Sequence, residues 1–199
     1  MNLNYFDTYK EIRNWLIAQS PKGTKEITKK IKEYFQTTYN SLYVLPSANH
    51  PEFLLDILIT DFIPTEILKK DGQLTVREEP LSVFIAVESE LGGSGGSSAY
   101  GIMKNAAEDF IKLLIVKSKY KIFFFTSLPY KDESDHILTR VAKLADLCTK
   151  SGPTPEGVLV IHLDGSQPNS TQVQATISTD AIRGFFISQD GGHFGEITA

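Results

Sequence analysis

Three carboxylates in this sequence stand among residues that normally bury. Asp56 lies inside Phe53-Leu54-Leu55-Asp56-Ile57-Leu58-Ile59, and Glu88 and Glu90 close the apolar run Val83-Phe84-Ile85-Ala86-Val87. An ionised carboxylate out of water is costly unless it is paired, protonated or bound to a metal. Residues i and i+2 of a strand point to one side, so Glu88 and Glu90 share a face and repel each other. A divalent cation relieves that repulsion, and oxygen-only donors suit Mg²⁺ or Mn²⁺. If Asp56 occupies a neighbouring strand, its carboxylate joins the two glutamates in one acidic pocket. A metal there activates water and stabilises a phosphoryl transition state. The structural alternative is a pair of half-exposed strand-end acids matched by some of the 20 Lys and Arg.

The elements that position these acids follow from periodicity. Residues 7–19 and 24–38 carry apolar side chains at helical spacing (Tyr9, Ile12 and Leu16; then Ile27, Ile31 and Tyr34) and are separated by Ser20-Pro21-Lys22-Gly23. Strand-like runs follow in SLYVLP, PEFLLDILITDFIP, QLTVREEP and LSVFIAVESELGG. Asp71-Gly72 in KKDGQ predicts a hairpin turn, because it supplies positive φ. GGSGGSSAYG reads as a loop, and a helix is predicted over 102–117. KYKIFFFTS reads as a strand buried on both faces, 133–149 as a helix, and GVLVIHLD and TQVQATIS as late strands. The tail, 189–199, has no period and is expected to fray. The expectation is one α/β domain over 1–199, with a central mixed sheet flanked by helices and a core within 24–165.

The acids in this order resemble the PD-(D/E)xK nuclease superfamily, whose restriction-endonuclease-like core runs α-β-β-β-α-β. The matching residues are Asp56 in LLDILI, Glu88-Ser89-Glu90 in AVESEL, and then the helix and buried strand of EDFIKLLIVKSKYKIFFF. The resemblance covers roughly 24–127. It implies metal-dependent phosphodiester hydrolysis, with Asp56, Glu88 and the main-chain carbonyl of Ser89 holding Mg²⁺ or Mn²⁺. The sequence departs from the family at Glu90, which stands where a Lys is usual. Glu90 then acts as a base or touches a second metal, or Lys112 (less favourably Lys104) supplies the lysine's charge, or activity is lost. In the last case the domain is a catalytically inactive module binding protein or nucleic acid. The family also draws an acid from its leading helix, for which Glu26 and Glu33 are available; both also read as solvated helix charges.

Charge frames the choice of partner. The chain has 24 Asp and Glu against 20 Lys and Arg, a formal charge of −4, which excludes a strongly basic nonspecific binder. The basic residues concentrate in KGTKEITKKIKEYF, where Lys25, Lys29 and Lys32 recur at i, i+4 and i+7 on one side of a helix. That row reads either as a weak, salt-sensitive nucleic-acid contact or as a solvated helix face. A homodimer is expected by fold analogy alone.

Other chemistries lack support. The single Cys148 excludes an internal disulfide and a CxxC zinc site, and four scattered His show no ligand spacing. No serine sits in a G-x-S-x-G elbow. The Gly/Ser loop at 92–98 fits neither dinucleotide nor P-loop patterns, which leaves nucleotide binding a weaker alternative. No apolar run reaches the roughly 18 residues of a spanning helix. The N-terminal MNLNYFDTYKEIRNW has no basic-then-apolar layout, so a cytoplasmic setting is expected.

Overall fold

Helix α1 (Tyr5–Gln19) begins where the Asn4 side chain accepts the N–H groups of Phe6 and Asp7. It ends at Ser20, whose left-handed backbone sends its N–H to the carbonyl of Leu16 just before Pro21. Helix α2 (Thr24–Thr38) follows Gly23 and buries Ile27, Ile31, Tyr34 and Phe35. The computed structural model describes residues 2–47, 52–70, 74–92, 98–169 and 172–198.

The strands are β1 (Tyr43–Leu45), β2 (Ile57–Thr60), β3 (Leu68–Lys70), β4 (Leu74–Val76) and β5 (Val83–Glu90). Helix α3 (Ala99–Ile115) then leads to β6 (Tyr120–Thr126), and α4 (His136–Ser151) leads to β7 (Val158–Asn169). The chain closes with β8 (Gln172–Thr176), β9 (Arg183–Ile187) and β10 (Phe194–Ile197). An eight-stranded mixed sheet runs β1-β2-β5-β6-β7-β9-β10, with β8 paired to the outer half of β7. β1, β2 and β5 are antiparallel neighbours, whereas β5, β6 and β7 are parallel. Parallel neighbours need long crossovers, which α3 and α4 supply.

Alternation along the central strands splits the core into two layers. Ile85, Val87, Ile122 and Phe124 pack against Ile12, Leu16, Ile27 and Phe35 of α1 and α2. Ala86, Phe123, Phe125 and Val160 pack against Phe110 and Leu113 of α3 and Leu144 of α4. Within the second layer Lys121 is almost wholly buried, and its ammonium donates to the carbonyls of Leu113 (3.0 Å) and Val116 and to Ser118 Oγ (3.1 Å). These groups stand at the end of α3, where carbonyls lack helical partners.

Several expectations need correction. Asp56 does not lie in a strand: β2 starts at Ile57. Upstream, Leu54 adopts φ 67°, and the N–H of Leu55 donates to the carbonyl of Phe53 at 2.8 Å, a tight turn that ends extended structure. The tail expected to fray holds β10, which pairs with β9 from Phe194↔Ile187 to Ile197↔Gly184 and buries Ile197. β9 itself, RGFFI, was not among the expected strands. Helix α3 starts three residues early, because the Ser98 side chain caps it through Gly101 N–H. β3 and β4 pair as expected of a hairpin, but Asp71-Gly72 lies outside the described residues, as do residues 93–97 of the Gly/Ser loop. Among the described residues no helix is long and apolar enough to cross a membrane.

Candidate functional site

β5 sits between β2 and β6, and its C-terminal end carries Glu88, Ser89 and Glu90. Because Ala86 faces the α3 layer and Val87 the α1–α2 layer, alternation sends Glu88 and Glu90 toward α3. The register Ile57↔Val87 sets Asp56 beside them at the head of β2.

Reciprocal hydrogen bonds lock Asp56 to β5. Its N–H donates to Glu88 Oε2 at 2.9 Å. In return Ser89 donates both its N–H, at 3.0 Å, and its hydroxyl to Asp56 Oδ2. The other Asp56 oxygen faces Lys32 Nζ of α2 at 3.7 Å, and Lys32 also donates to Glu52 Oε2 at 3.1 Å.

From the other side α3 contributes Asp109, whose Oδ1 accepts from Lys112 Nζ at 2.5 Å. Asp109 faces Glu90 closely enough for its carboxylate to raise the Glu90 carboxyl. Burial raises Glu88 to about 7; the nearby charges of Asp56 and Asp109 add to the rise, and the Asp56 amide and Lys112 oppose it. Burial likewise raises Glu90 to about 7, reinforced by Asp109. Two carboxyl groups thus titrate near neutrality on one strand face, where water-exposed glutamates would be fully ionised.

The three expected acids therefore gather, and two residues join them. Asp109 had shown only as a helix residue, and Lys32 only as part of a basic row. The i, i+3 spacing of Asp109 and Lys112 marks a pair on one helix flank, but nothing local says that this flank faces β5. The row of Lys25, Lys29 and Lys32 divides: Lys32 turns to Asp56 and Glu52, Lys29 lies 3.8 Å from Glu33, and exposed Lys25 borders a shallow cleft with Gln172 and Gln174. Glu26 and Glu33 do not join the pocket. Glu26 accepts the N–H of Lys22, and Glu33 pairs with Lys30 at 2.7 Å. Lys104, 3.7 Å from Glu108, is engaged on its own helix.

Comparison with protein-family models, curated proteins and solved structures finds no match to this chain.

The donors around the pocket are all oxygens, the chemistry of Mg²⁺ or Mn²⁺. Among the described residues no group of three or more Asp, Glu, His or Cys side chains is placed to hold a metal ion. Asp56 and Glu88 each commit one oxygen to the bonds above. Mg²⁺ typically keeps several waters and takes only one or two carboxylates, so the remaining oxygens of Asp56 and Glu88 are the donors the pocket would offer such an ion. Outside the pocket, His162 Nε2 lies 3.0 Å from Ser127 Oγ, and burial lowers that imidazole to about 3. Ser127 is itself buried, so the pair is a neutral core contact.

Proposed function

We propose that the chain is a restriction-endonuclease-like domain that hydrolyses phosphodiesters with Mg²⁺ or Mn²⁺ at Asp56 and Glu88. The observation that carries this reading is the mutual bonding of Asp56 with Glu88 and Ser89, where the head of β2 meets the end of β5. The element order supports it: a leading helix α2, antiparallel β1-β2-β5, the crossover α3 and parallel β6.

Asp56, Glu88 and the carbonyl of Ser89 would hold the ion, which would supply electrophilic stabilisation of the phosphoryl group and acidification of water. Glu90, raised to about 7, is matched to accept a proton from the attacking water at neutral pH. Lys32 and Lys112 flank the acids with positive charge that offsets the charge of a phosphate. Ser89 holds the Asp56 carboxylate in one orientation, so its geometry does not depend on substrate.

The test is cleavage of plasmid DNA and of single-stranded RNA with Mg²⁺ or Mn²⁺, beside calorimetric titration of the ion. Cleavage abolished by Asp56→Asn and Glu88→Gln, with ion affinity reduced in both, is expected. A wild-type protein that neither cleaves nor binds the ion would sink the hydrolase reading. One observation favours the second reading, an inactive binding module: Glu90, in the usual lysine's place, supplies no positive charge and faces a second acid, Asp109. That module binds nucleic acid or protein equally well in wild type and Glu88→Gln.

A further inference from the structure

We infer that His136 and His162 form an acid-sensitive latch beneath the start of α4, which in acid releases residues 128–140 from the sheet. The inference does not rest on the hydrolase reading. His162 lies in the middle of β7, wholly buried, on the face that α4 covers. His136 is the first residue of α4. Their rings meet edge to face with centroids 6.1 Å apart. Each keeps one buried nitrogen without a partner among the described residues, Nδ1 of His162 and Nε2 of His136. A histidine that only fills a core normally has its buried nitrogens bonded. His162 has one such bond, between Nε2 and Ser127 Oγ at 3.0 Å, and its ring packs edge to face on Phe125.

The charges around the pair are set against an imidazolium. From α4, Arg140 stands one turn beyond His136, and the positive end of the helix dipole lies at His136 itself. From β9, Arg183 is the register partner of His162. The carboxylates that could offset a proton are committed elsewhere. Arg140 donates twice to Glu133, at 2.8 Å each, and Arg183 donates to Asp135 at 3.0 and 3.2 Å. Asp135 also caps α4 through the Leu138 N–H, and Glu196 of β10 bonds Arg183. Asp164 of β7 is exposed and accepts the N–H of Gly165. Burial, with His136 and Arg183, holds His162 at about 3; burial, with Arg140, lowers His136 from 6.5.

The same arginines tie the loop down. Arg140 holds Glu133 and the carbonyl of Leu128, and Arg183 holds Asp135. When this loop and the first turn of α4 lift, His162 reaches water and takes a proton at its ordinary pH; closed, it stays neutral. The closed form thus has its full stability above 6.5 and loses it as pH falls toward 3. Glu88 and Glu90 pull the other way over part of that range, so the effect must be read locally.

Hydrogen exchange of the full chain at pH 5 and pH 7, corrected for the intrinsic rate, tests the latch. Relative to α2, protection over 128–140 should fall by about twenty-fivefold from His162 alone, the ratio set by its open and closed values. His162→Gln should abolish most of that fall and His136→Gln part of it. His136→Gln, at a half-buried site, decides the matter should His162→Gln fail to fold. In NMR the wild-type His162 ring should stay neutral above pH 5. Protection over 128–140 that follows α2 at both pH values overturns the inference, as does a His162 ring that titrates near 6.5. So does a fall that the folded Gln variants retain in full, which would trace it to Glu133 and Asp135.

Discussion

Ser89 donates its main-chain N–H and its hydroxyl to one oxygen of Asp56, while the Asp56 N–H returns a bond to Glu88. A residue just outside one strand is thereby tied to two consecutive residues of its neighbour. Hydrogen bonds to an ionised acceptor exceed neutral ones, so this clasp is worth more than an ordinary strand-end contact. Ser89→Ala removes the hydroxyl bond and leaves the amide. It should cost about 1.5 kcal/mol of stability by urea unfolding and weaken Mg²⁺ binding in calorimetry. An unchanged ion affinity would mean that the hydroxyl does not orient Asp56.

Glu88 and Glu90 set a pH dependence of definite sign. Their folded values, about 7, lie above the ordinary 4.5, so the folded chain binds more protons than the unfolded chain between those pH values. Stability without divalent ions should be greatest below pH 4.5 as far as these two groups are concerned, and should fall as pH rises toward 7. Glu88→Gln should flatten that fall and melt higher than wild type at pH 8. Added Mg²⁺ should raise the wild-type melting temperature more at pH 8 than at pH 5, because the ion takes the deprotonated form.

Lys121 predicts the opposite slope at alkaline pH. Burial lowers its ammonium from 10.5 to about 8, so between these values the unfolded chain holds the extra proton. Wild-type stability should rise from pH 8 until the tyrosines of the unfolded chain ionise near 10; half-buried Tyr39, raised to about 12, then adds an opposing loss. Lys121→Met should lack the rise. At pH 7 it should be less stable by about 2 kcal/mol, because the Leu113 and Val116 carbonyls lose their donor. Melting curves of both proteins across pH 7 to 10 check both points.

Leu54 pays in backbone strain for the turn that delivers Asp56. Its φ of 67° disfavours a side chain with a Cβ, and its own side chain is 71% exposed and packs little. Leu54→Gly should raise stability by about 0.5 kcal/mol, the relief of strain less the added freedom of the unfolded chain. Hydrogen exchange at the Asp56 amide should quicken in the same variant if the stiff turn holds the clasp. Slower exchange there would show that Leu54 is not what restrains it.

At Gly184 the constraint is contact with α1. A Cβ there would come within 2.5 Å of the Tyr9 ring, whose hydroxyl donates to the carbonyl of Ile182 at 2.8 Å. Gly184→Ala should destabilise by about 2 kcal/mol, as overpacking does, read by thermal unfolding. Tyr9→Ala at the same time opens that space, so the two losses should sum to more than the double variant shows.

Periodicity and end signals made much of the scaffold legible. α2 is where its apolar stripe placed it, β5 and β6 are where their continuous apolar runs placed them, and alternation alone put Glu88 and Glu90 on one side. Three features were not legible for identifiable reasons. Asp56 looked like a strand residue because its neighbours are apolar, and the left-handed Leu54 leaves no mark in composition. β9 is a five-residue segment whose two phenylalanines gain meaning only beside β7. β10 is four residues long and mostly exposed, and it pairs with β9 across a turn through Gly191-Gly192, so it carries no period of its own.

By itself the sequence determined which residues alternate, which stripes bury, and that two acids share one face of a strand, since these depend on backbone periods of 2.0 and 3.6. Only the tertiary structure decided which face that is and what meets the acids there. The Ile57↔Val87 register brought Asp56 to Glu88, and the α3 crossover between parallel strands brought Asp109 near Glu90 and Lys112 near Glu88. Both come from contacts between segments tens of residues apart. Their geometry is set by the packing of a helix on a sheet, which no local spacing encodes.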